Sequence, residues 1–228
     1  MELITAKHGV AIEAVGFIAG NVARVRNEKK RLCLQAYPTK QNMKDNIRRI
    51  NEIFLSLQGE GFHTGTAAVF VRFSGCNLSC SFCDTNHRDF VEMTDEQIAE
   101  KVATYAVDWV ILTGGEPSLQ ITDSLIDLLH KQGKKVAIET NGTHTLPSNI
   151  DWITVSPKDW QKTVVSCADE VKVVFTGDDV ECWRQRITAE HWFLQPCSCR
   201  NTAETVQYIL KNPHWRLSLQ THKYIGIE

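Results

Sequence analysis

Cys76, Cys80 and Cys83 place three thiols within eight residues, in the run Gly75-Cys76-Asn77-Leu78-Ser79-Cys80-Ser81-Phe82-Cys83-Asp84-Thr85. Three thiolates this close together can hold one metal centre but leave it a ligand short. A structural zinc ion takes four protein ligands, and a simple electron-transfer iron–sulfur cubane takes four cysteines. With three, one iron of a [4Fe–4S] cluster stays open to a small molecule. Two plainer readings compete: zinc completed by His87 or a distant cysteine, or three unrelated buried thiols.

A second motif of a different kind narrows this. Thr113-Gly114-Gly115-Glu116-Pro117 follows the apolar run Trp109-Val110-Ile111-Leu112 directly. Glycines at a strand end let the backbone approach a ligand with no Cβ in the way. Together the two motifs resemble the radical S-adenosylmethionine (radical SAM) superfamily. In that superfamily the open iron chelates the methionine moiety, and the Gly-Gly loop receives its amino group. The resemblance implies one [4Fe–4S] cluster held by Cys76, Cys80 and Cys83, S-adenosylmethionine, and a 5′-deoxyadenosyl radical. An exposed thiolate cluster needs a reducing compartment, so the eight cysteines read as cytoplasmic and not as a disulfide framework. Cys197-Ser198-Cys199 raises an auxiliary cluster, but Cys167 and Cys182 stand in unrelated contexts, and buried or free thiols are the default there.

The elements that must carry these motifs alternate. Ala67–Phe73 reads as a strand running into the cysteine loop. Thr94 with Gln97 forms a capping box ahead of a helix bearing Ile98, Val102 and Tyr105 on one face. Trp109–Leu112 is a strand, and Asp123–Gln132 a helix with Leu125, Ile126, Leu128 and Leu129 inward and Gly133 at its end. Further strands are expected at 136–138, 152–155, 171–175, 192–194 and 215–219, with a helix at 202–210. The pattern predicts an α/β fold with a parallel sheet. The dozen residues between Glu139 and Trp152 are too few for a full crossover helix. The expectation is therefore a partial, open (β/α) barrel with reduced outer helices.

Polar clusters close almost every strand: Gly75-Cys76, Thr113–Glu116, Glu139-Thr140-Asn141-Gly142, Ser156-Pro157-Lys158, Gln195-Pro196 and Gln220-Thr221-His222-Lys223. In parallel barrels ligands gather at the C-terminal strand ends, so these point to one site.

Charge excludes other classes. With 25 basic and 27 acidic residues and a net charge of −2, no basic block suggests nucleic acid. No apolar run approaches a membrane span, since Glu13 interrupts the longest one, and the N-terminus makes a poor signal peptide. Residues 1–47 match no motif and read as an extension, with Met43 a plausible ordinary start, or as a short helix packed on the core; residues 48–228 form the core domain.

Within the superfamily, Leu57-Gln58-Gly59-Glu60-Gly61 ahead of the cluster is similar to the opening of the 7-carboxy-7-deazaguanine synthase family, and the likeness runs from Arg48 to Glu228. It implies a radical ring contraction of 6-carboxy-5,6,7,8-tetrahydropterin to 7-carboxy-7-deazaguanine, with loss of ammonia, starting from hydrogen abstraction at C6. This is a step toward queuosine. It implies Mg²⁺ on Thr85, completed by the substrate carboxylate. Substrate contacts carry over to Leu57, Gln58, Gly59, Thr113 and Arg72, whose planar fork suits a carboxylate; for Arg72 the plain alternative is a rim salt bridge. Cofactor contacts carry over to Phe82, Cys83, Asp84, Gly115, Ser156, Pro157, Lys158, Gln195, Pro196, Cys197 and Ser198. Glu116 and Glu139 either touch the cofactor or hold the rim together, and His222 and Lys223 are candidate wall residues. The ending Ile225-Gly226-Ile227-Glu228 departs from the family, so no substrate contact is carried to the terminal residue. A flavodoxin- or ferredoxin-type electron donor and a homodimer are implied partners. A glycyl-radical activating protein shares the cysteine spacing and the Gly-Gly-Glu loop but gives no reason for Leu57–Gly61 or Thr85; a metal-binding module without activity is the other alternative.

Overall fold

In the computed structural model, residues 46–83, 85 and 89–227 are described. The readings made for residues 1–45, and for Asp84, His87 and Glu228, lie outside them. The described residues build one nine-stranded sheet in the order β3-β1-β2-β4-β5-β6-β7-β8-β9. Its strands are β1 (Ile47–Leu57), β2 (Ala67–Phe73), β3 (Val91–Thr94), β4 (Trp109–Gly114), β5 (Lys135–Thr140), β6 (Trp152–Val155), β7 (Cys167–Phe175), β8 (Thr188–Pro196) and β9 (Arg216–Leu217). From β2 through β9 every neighbouring pair is parallel. Strands β1 and β3 add an antiparallel edge that the sequence reading left without strands. β1 begins at Ile47, one residue ahead of the expected core, and Arg48 is already anchored there. Its guanidinium makes a paired, buried contact with Asp95 at 2.7 and 3.0 Å.

The helices sit where apolar periodicity put them. α1 (Asp95–Ala103) starts with the Thr94/Gln97 capping box, both of whose hydrogen bonds form. α2 (Asp123–Lys131) is capped by Thr122 and buries Leu125, Ile126 and Leu129, and Gly133 behind it takes φ +74°. α4 (Thr202–Lys211) matches its expected span, while two short helices, α3 (Cys182–Arg186) and α5 (Thr221–Ile225), were not expected. The β5–β6 and β6–β7 connections carry no helix, as the short Glu139–Trp152 spacing required. None of the described helices is long and apolar enough to cross a membrane.

Alternation in the parallel strands separates two layers. Val71, Leu112, Ile138, Ile153, Val171 and Leu194 belong to the large core. On the opposite face Ala68, Ile111, Ala137 and Trp152 form a smaller cluster with Phe70 and Trp109. The sheet curls around this second face. Although β1 and β9 stand far apart in strand order, the turn after β1 meets the segment after β9: Thr221 N–H donates to the Gly59 carbonyl at 2.9 Å and Gly61 N–H to Ser218 Oγ at 3.0 Å. The barrel is thus left open in its strand ladder and closed by loops and side chains.

Candidate active site

The C-terminal ends of the parallel strands surround a cavity of about 790 Å³. The cysteine loop, rising from β2, forms one wall. Cys76, Cys80, Phe82, Cys83 and Thr85 all line the cavity, with Cys76 and Cys80 half-buried and Cys83 exposed. No disulfide forms among the described cysteines. Burial first, then the neighbouring Cys76 and Cys83, raises the Cys80 thiol, with Lys158 opposing.

The Thr113–Pro117 loop after β4 faces this wall, and its glycines are explained by packing. Gly114 has φ +116°, and a Cβ on it would run into the Phe73 backbone. A Cβ on Gly115 would overlap the Gly75 carbonyl, while Gly115 N–H donates to the Phe73 carbonyl and Glu116 N–H to the Gly75 carbonyl, each at 2.9 Å. The sequence reading aimed the missing Cβ at a ligand; the structure aims it at the backbone that launches the cysteine loop. Replacing Gly115 with alanine is therefore expected to push that loop outward and lower the iron retained after anaerobic reconstitution, measured per chain against wild type.

Glu116 holds the rim together and also lines the cavity. It is fully buried, and its carboxylate accepts from Ser118 N–H at 3.0 Å, Thr140 Oγ at 2.6 Å and Asn141 N–H at 2.7 Å. Three donors offset the desolvation of its charge and tie the β4 and β5 loops together. Asn141 Nδ2 in turn reaches Asn77 Oδ1 at 3.1 Å, and Asn77 Nδ2 reaches Thr143 Oγ at 2.8 Å, so the cysteine loop is fastened to the β5 loop.

The remaining sequence candidates divide by position. Leu57, Gln58, Gly59, Arg72, Thr113, Gly115, Ser156, Lys158, Gln195, Pro196, Cys197, Ser198, His222 and Lys223 line the same cavity. Pro157 is buried below the rim and does not reach the wall. Arg72 Nε pairs with Glu52 Oε1 at 2.5 Å and the guanidinium lies over Phe54. The rim salt bridge of the plainer reading is therefore present, on a residue that also lines the cavity. Gln58 is engaged at both ends, donating to Glu139 Oε1 at 3.0 Å and accepting from Glu60 N–H at 3.1 Å. The Gly59 carbonyl accepts from Thr221, and the His222 ring occupies the space a Cβ would need. Ser198, at the wall, and Cys199 behind it hold positive φ, and Cys197 N–H is fixed by Asn201 Oδ1 at 2.8 Å.

The sequence reading missed the ionic tier on the cavity floor. Lys172 on β7, nearly fully buried, donates to Glu60 Oε2 at 2.5 Å and to Glu139 Oε2 at 2.9 Å. Gln220 Nε2 adds a bond to Glu60 Oε1 at 3.0 Å. Burial works against the ammonium, but Glu139 and Glu60 outweigh it and hold the Lys172 pKa above the ordinary lysine value. Burial also opposes the Glu60 charge, yet Lys172 prevails and lowers its pKa. For Glu139 burial wins, with Lys172 offsetting it in part, and its pKa rises. The only signal in the sequence was the alternation Glu170, Lys172, Val174, which puts two charges on the inward face of a strand.

Comparison with known proteins decides between the chemistries such a site could carry. The radical SAM superfamily model matches residues 70–186. A 7-carboxy-7-deazaguanine synthase of Bacteroides thetaiotaomicron is 61% identical over 181 residues, covering 79% of this chain and 99% of that protein. The chain belongs to the 7-carboxy-7-deazaguanine synthase family. A synthase of the same name from Bordetella pertussis is 45% identical over 210 residues, covering 78% of this chain and 98% of its own. The crystal structure of QueE from Escherichia coli superposes with a TM-score of 0.64 at 30% identity, over 77% of this chain and 95% of that one.

Membership in this family makes the chain a radical SAM enzyme and implies one [4Fe–4S] cluster and S-adenosylmethionine. The donor set fits. Among the described residues no three His, Cys, Asp or Glu side chains converge on a single-ion site. A cubane binds each thiolate at a different iron, so its ligands need not converge on one point, and three thiols leave one iron for the cofactor.

Proposed function

We propose that this synthase-family chain converts 6-carboxy-5,6,7,8-tetrahydropterin to 7-carboxy-7-deazaguanine with loss of ammonia, an early step toward queuosine. The observation that carries this is the meeting, in one cavity of about 790 Å³, of the three-thiol loop, the Gly-Gly-Glu loop and the Gln58–Glu60 segment. That size lies in the range of small-molecule sites. When bound, the cluster and S-adenosylmethionine supply a 5′-deoxyadenosyl radical. Cys76, Cys80 and Cys83 hold the cluster. Phe82, Asp84, Gly115, Ser156, Lys158 and the Gln195–Ser198 segment hold the cofactor, with the buried Pro157 shaping the turn between Ser156 and Lys158. Leu57, Gln58, Gly59 and Thr113 orient the pterin, and Arg72, already steadied by Glu52, offers its outer nitrogens to the carboxylate. A flavodoxin or ferredoxin supplies the electron, and two chains associate. The relatives do not favour a glycyl-radical activating role or a metal module without activity.

Anaerobic turnover with 6-carboxytetrahydropterin, following deazaguanine and 5′-deoxyadenosine together, tests the reading. Cofactor cleavage with no deazaguanine would refute it. Thr85, on the cavity wall, is assigned to Mg²⁺ that also holds the substrate carboxylate. Thr85→Ala should keep its iron and its cofactor binding while magnesium-stimulated turnover falls by about a hundredfold, the usual cost of a small misplacement at a reacting centre. Full activity with intact magnesium dependence would place that metal on other residues.

A further inference from the structure

We propose that Glu170 is a positioning residue for the substrate pocket: its neutral carboxyl holds the Gln58–Phe62 segment in place, and its ionisation weakens substrate binding. The inference rests on the substrate assignment above and deepens it. Glu170 lies on β7 two residues before Lys172, on the same inward face, and is 2% exposed. Its Oε2 accepts from Phe62 N–H at 3.1 Å. Gly61, at φ +66°, is the neighbouring seat, because the Glu170 carboxyl fills the space a Cβ would occupy. The segment seated on this carboxyl carries Gln58 and Glu60, whose side chains run to Glu139 and Lys172. Glu170 therefore supports from below the stretch that Thr221 and Ser218 hold from the other side.

Charge explains why the neutral form is the one that fits. Around Glu170 stand Lys172 on its own strand, Glu139 of β5, Glu60 and His63 of the β1–β2 connection, and His191 of β8. Strand β6 contributes Thr154 and Trp152, which carry no charge. Burial lowers the pKa of His63, so it adds little positive charge. Lys172 is already shared by Glu60 and Glu139, which leaves an ionised Glu170 as the third carboxylate on one ammonium. Burial foremost, reinforced by Glu139 and opposed by Lys172 and by the N–H donors of Phe62 and Trp152, which favour the charged form, pushes Glu170 up to about 7. Ionisation thus sets repulsion from Glu139 and Glu60 against a strengthened Phe62 bond. Because the folded pKa exceeds the unfolded one, the stability this group contributes is complete below about 4.5 and is lost as pH rises through 7.

The test compares wild type, Glu170→Gln and Glu170→Ala as anaerobically reconstituted enzymes between pH 6 and 8.5. Glutamine keeps an acceptor for Phe62 N–H and cannot ionise. In wild type the KM for the pterin should rise about fivefold with an inflection near 7, while Glu170→Gln stays flat. Glu170→Ala, which removes the support, should raise KM about tenfold at every pH, with kcat changed less than twofold. A wild-type inflection surviving in Glu170→Gln, or a wild-type KM in Glu170→Ala, would overturn the proposal. A separate arm needs no turnover: Glu170→Gln should match the wild-type Tm at pH 5 and exceed it at pH 8, and equal Tm at both would overturn it as well. Failure of wild type to turn over the pterin would count against the substrate assignment alone, and the Tm arm would still decide the role of Glu170 in the fold.

Discussion

Alanine at Cys76, Cys80 or Cys83, taken one at a time, is expected to abolish 5′-deoxyadenosine formation. The reason is geometric as well as numerical. These thiols line the cavity on a loop fastened by Asn77, and among the described residues no other thiol lies on that loop. Cys167 opens β7, at the end of the sheet away from the cavity, and Cys182 lies in α3. Cys197 lines the cavity but sits after β8 on a separate turn that Asn201 holds. With two thiolates left, two irons of a cubane lack protein ligands, and the single-site opening that cofactor binding requires is gone. Iron content, visible absorption of the cluster and 5′-deoxyadenosine would be measured after anaerobic reconstitution. Cys197→Ala and Cys199→Ala serve as controls and should retain wild-type iron. Normal cleavage in any of the first three variants would sink the ligand assignment, and a lower iron count in either control would revive an auxiliary cluster.

Much of this architecture was legible because short-range signals carry it. The Thr94/Gln97 capping box and the inward Leu125, Ile126 and Leu129 are local patterns that tertiary contacts did not override. The polar strand ends also transferred well, since parallel strands share a direction and so present their C-terminal residues at one rim. What stayed hidden depends on partners distant in sequence. β1 alternates imperfectly because both its faces are partly covered, one by α1 and the other by the cavity, and its pairing with β2 is antiparallel. β3 is four residues long and exists by pairing with β1. The Gly114-Gly115 pair was correctly singled out, but a glycine does not reveal whether ligand or backbone fills the space beside it; here it is backbone. Asp169 and Glu170 fell just ahead of the strand expected at 171–175, although β7 includes both. Nothing local shows that Lys172 meets Glu60, 112 residues away in the chain.

That buried lysine supports the largest stability effect expected in the molecule. Lys172→Met conserves most of the side-chain volume but removes the one cation between Glu60 and Glu139, both within 3 Å of it at 2.5 and 2.9 Å. Breaking a buried ion pair from one side costs about 3–5 kcal/mol, because the partner charges stay behind without compensation. The loss should depend on pH in a defined direction. In wild type Lys172 lowers the Glu60 pKa and tempers the rise of Glu139. Without it, burial and mutual repulsion raise both carboxyls, so the variant can escape the cost by binding protons. A carboxyl whose folded pKa is raised stabilises the fold below its unfolded pKa and loses that contribution as pH rises through the folded value. The Tm gap between Lys172→Met and wild type is therefore expected to be widest at pH 8 and to narrow toward pH 5. Adding Glu60→Gln and Glu139→Gln to Lys172→Met should recover most of the lost stability at pH 5, where Glu170 is protonated and no unpaired charge is left to bury, while pterin turnover stays impaired because the Gln58–Glu60 segment has lost its ionic anchor. Thermal unfolding of the single and triple variants at the two pH values would check this. A gap of constant size, or a triple variant no more stable than the single one, would mean that Lys172 acts through packing rather than charge.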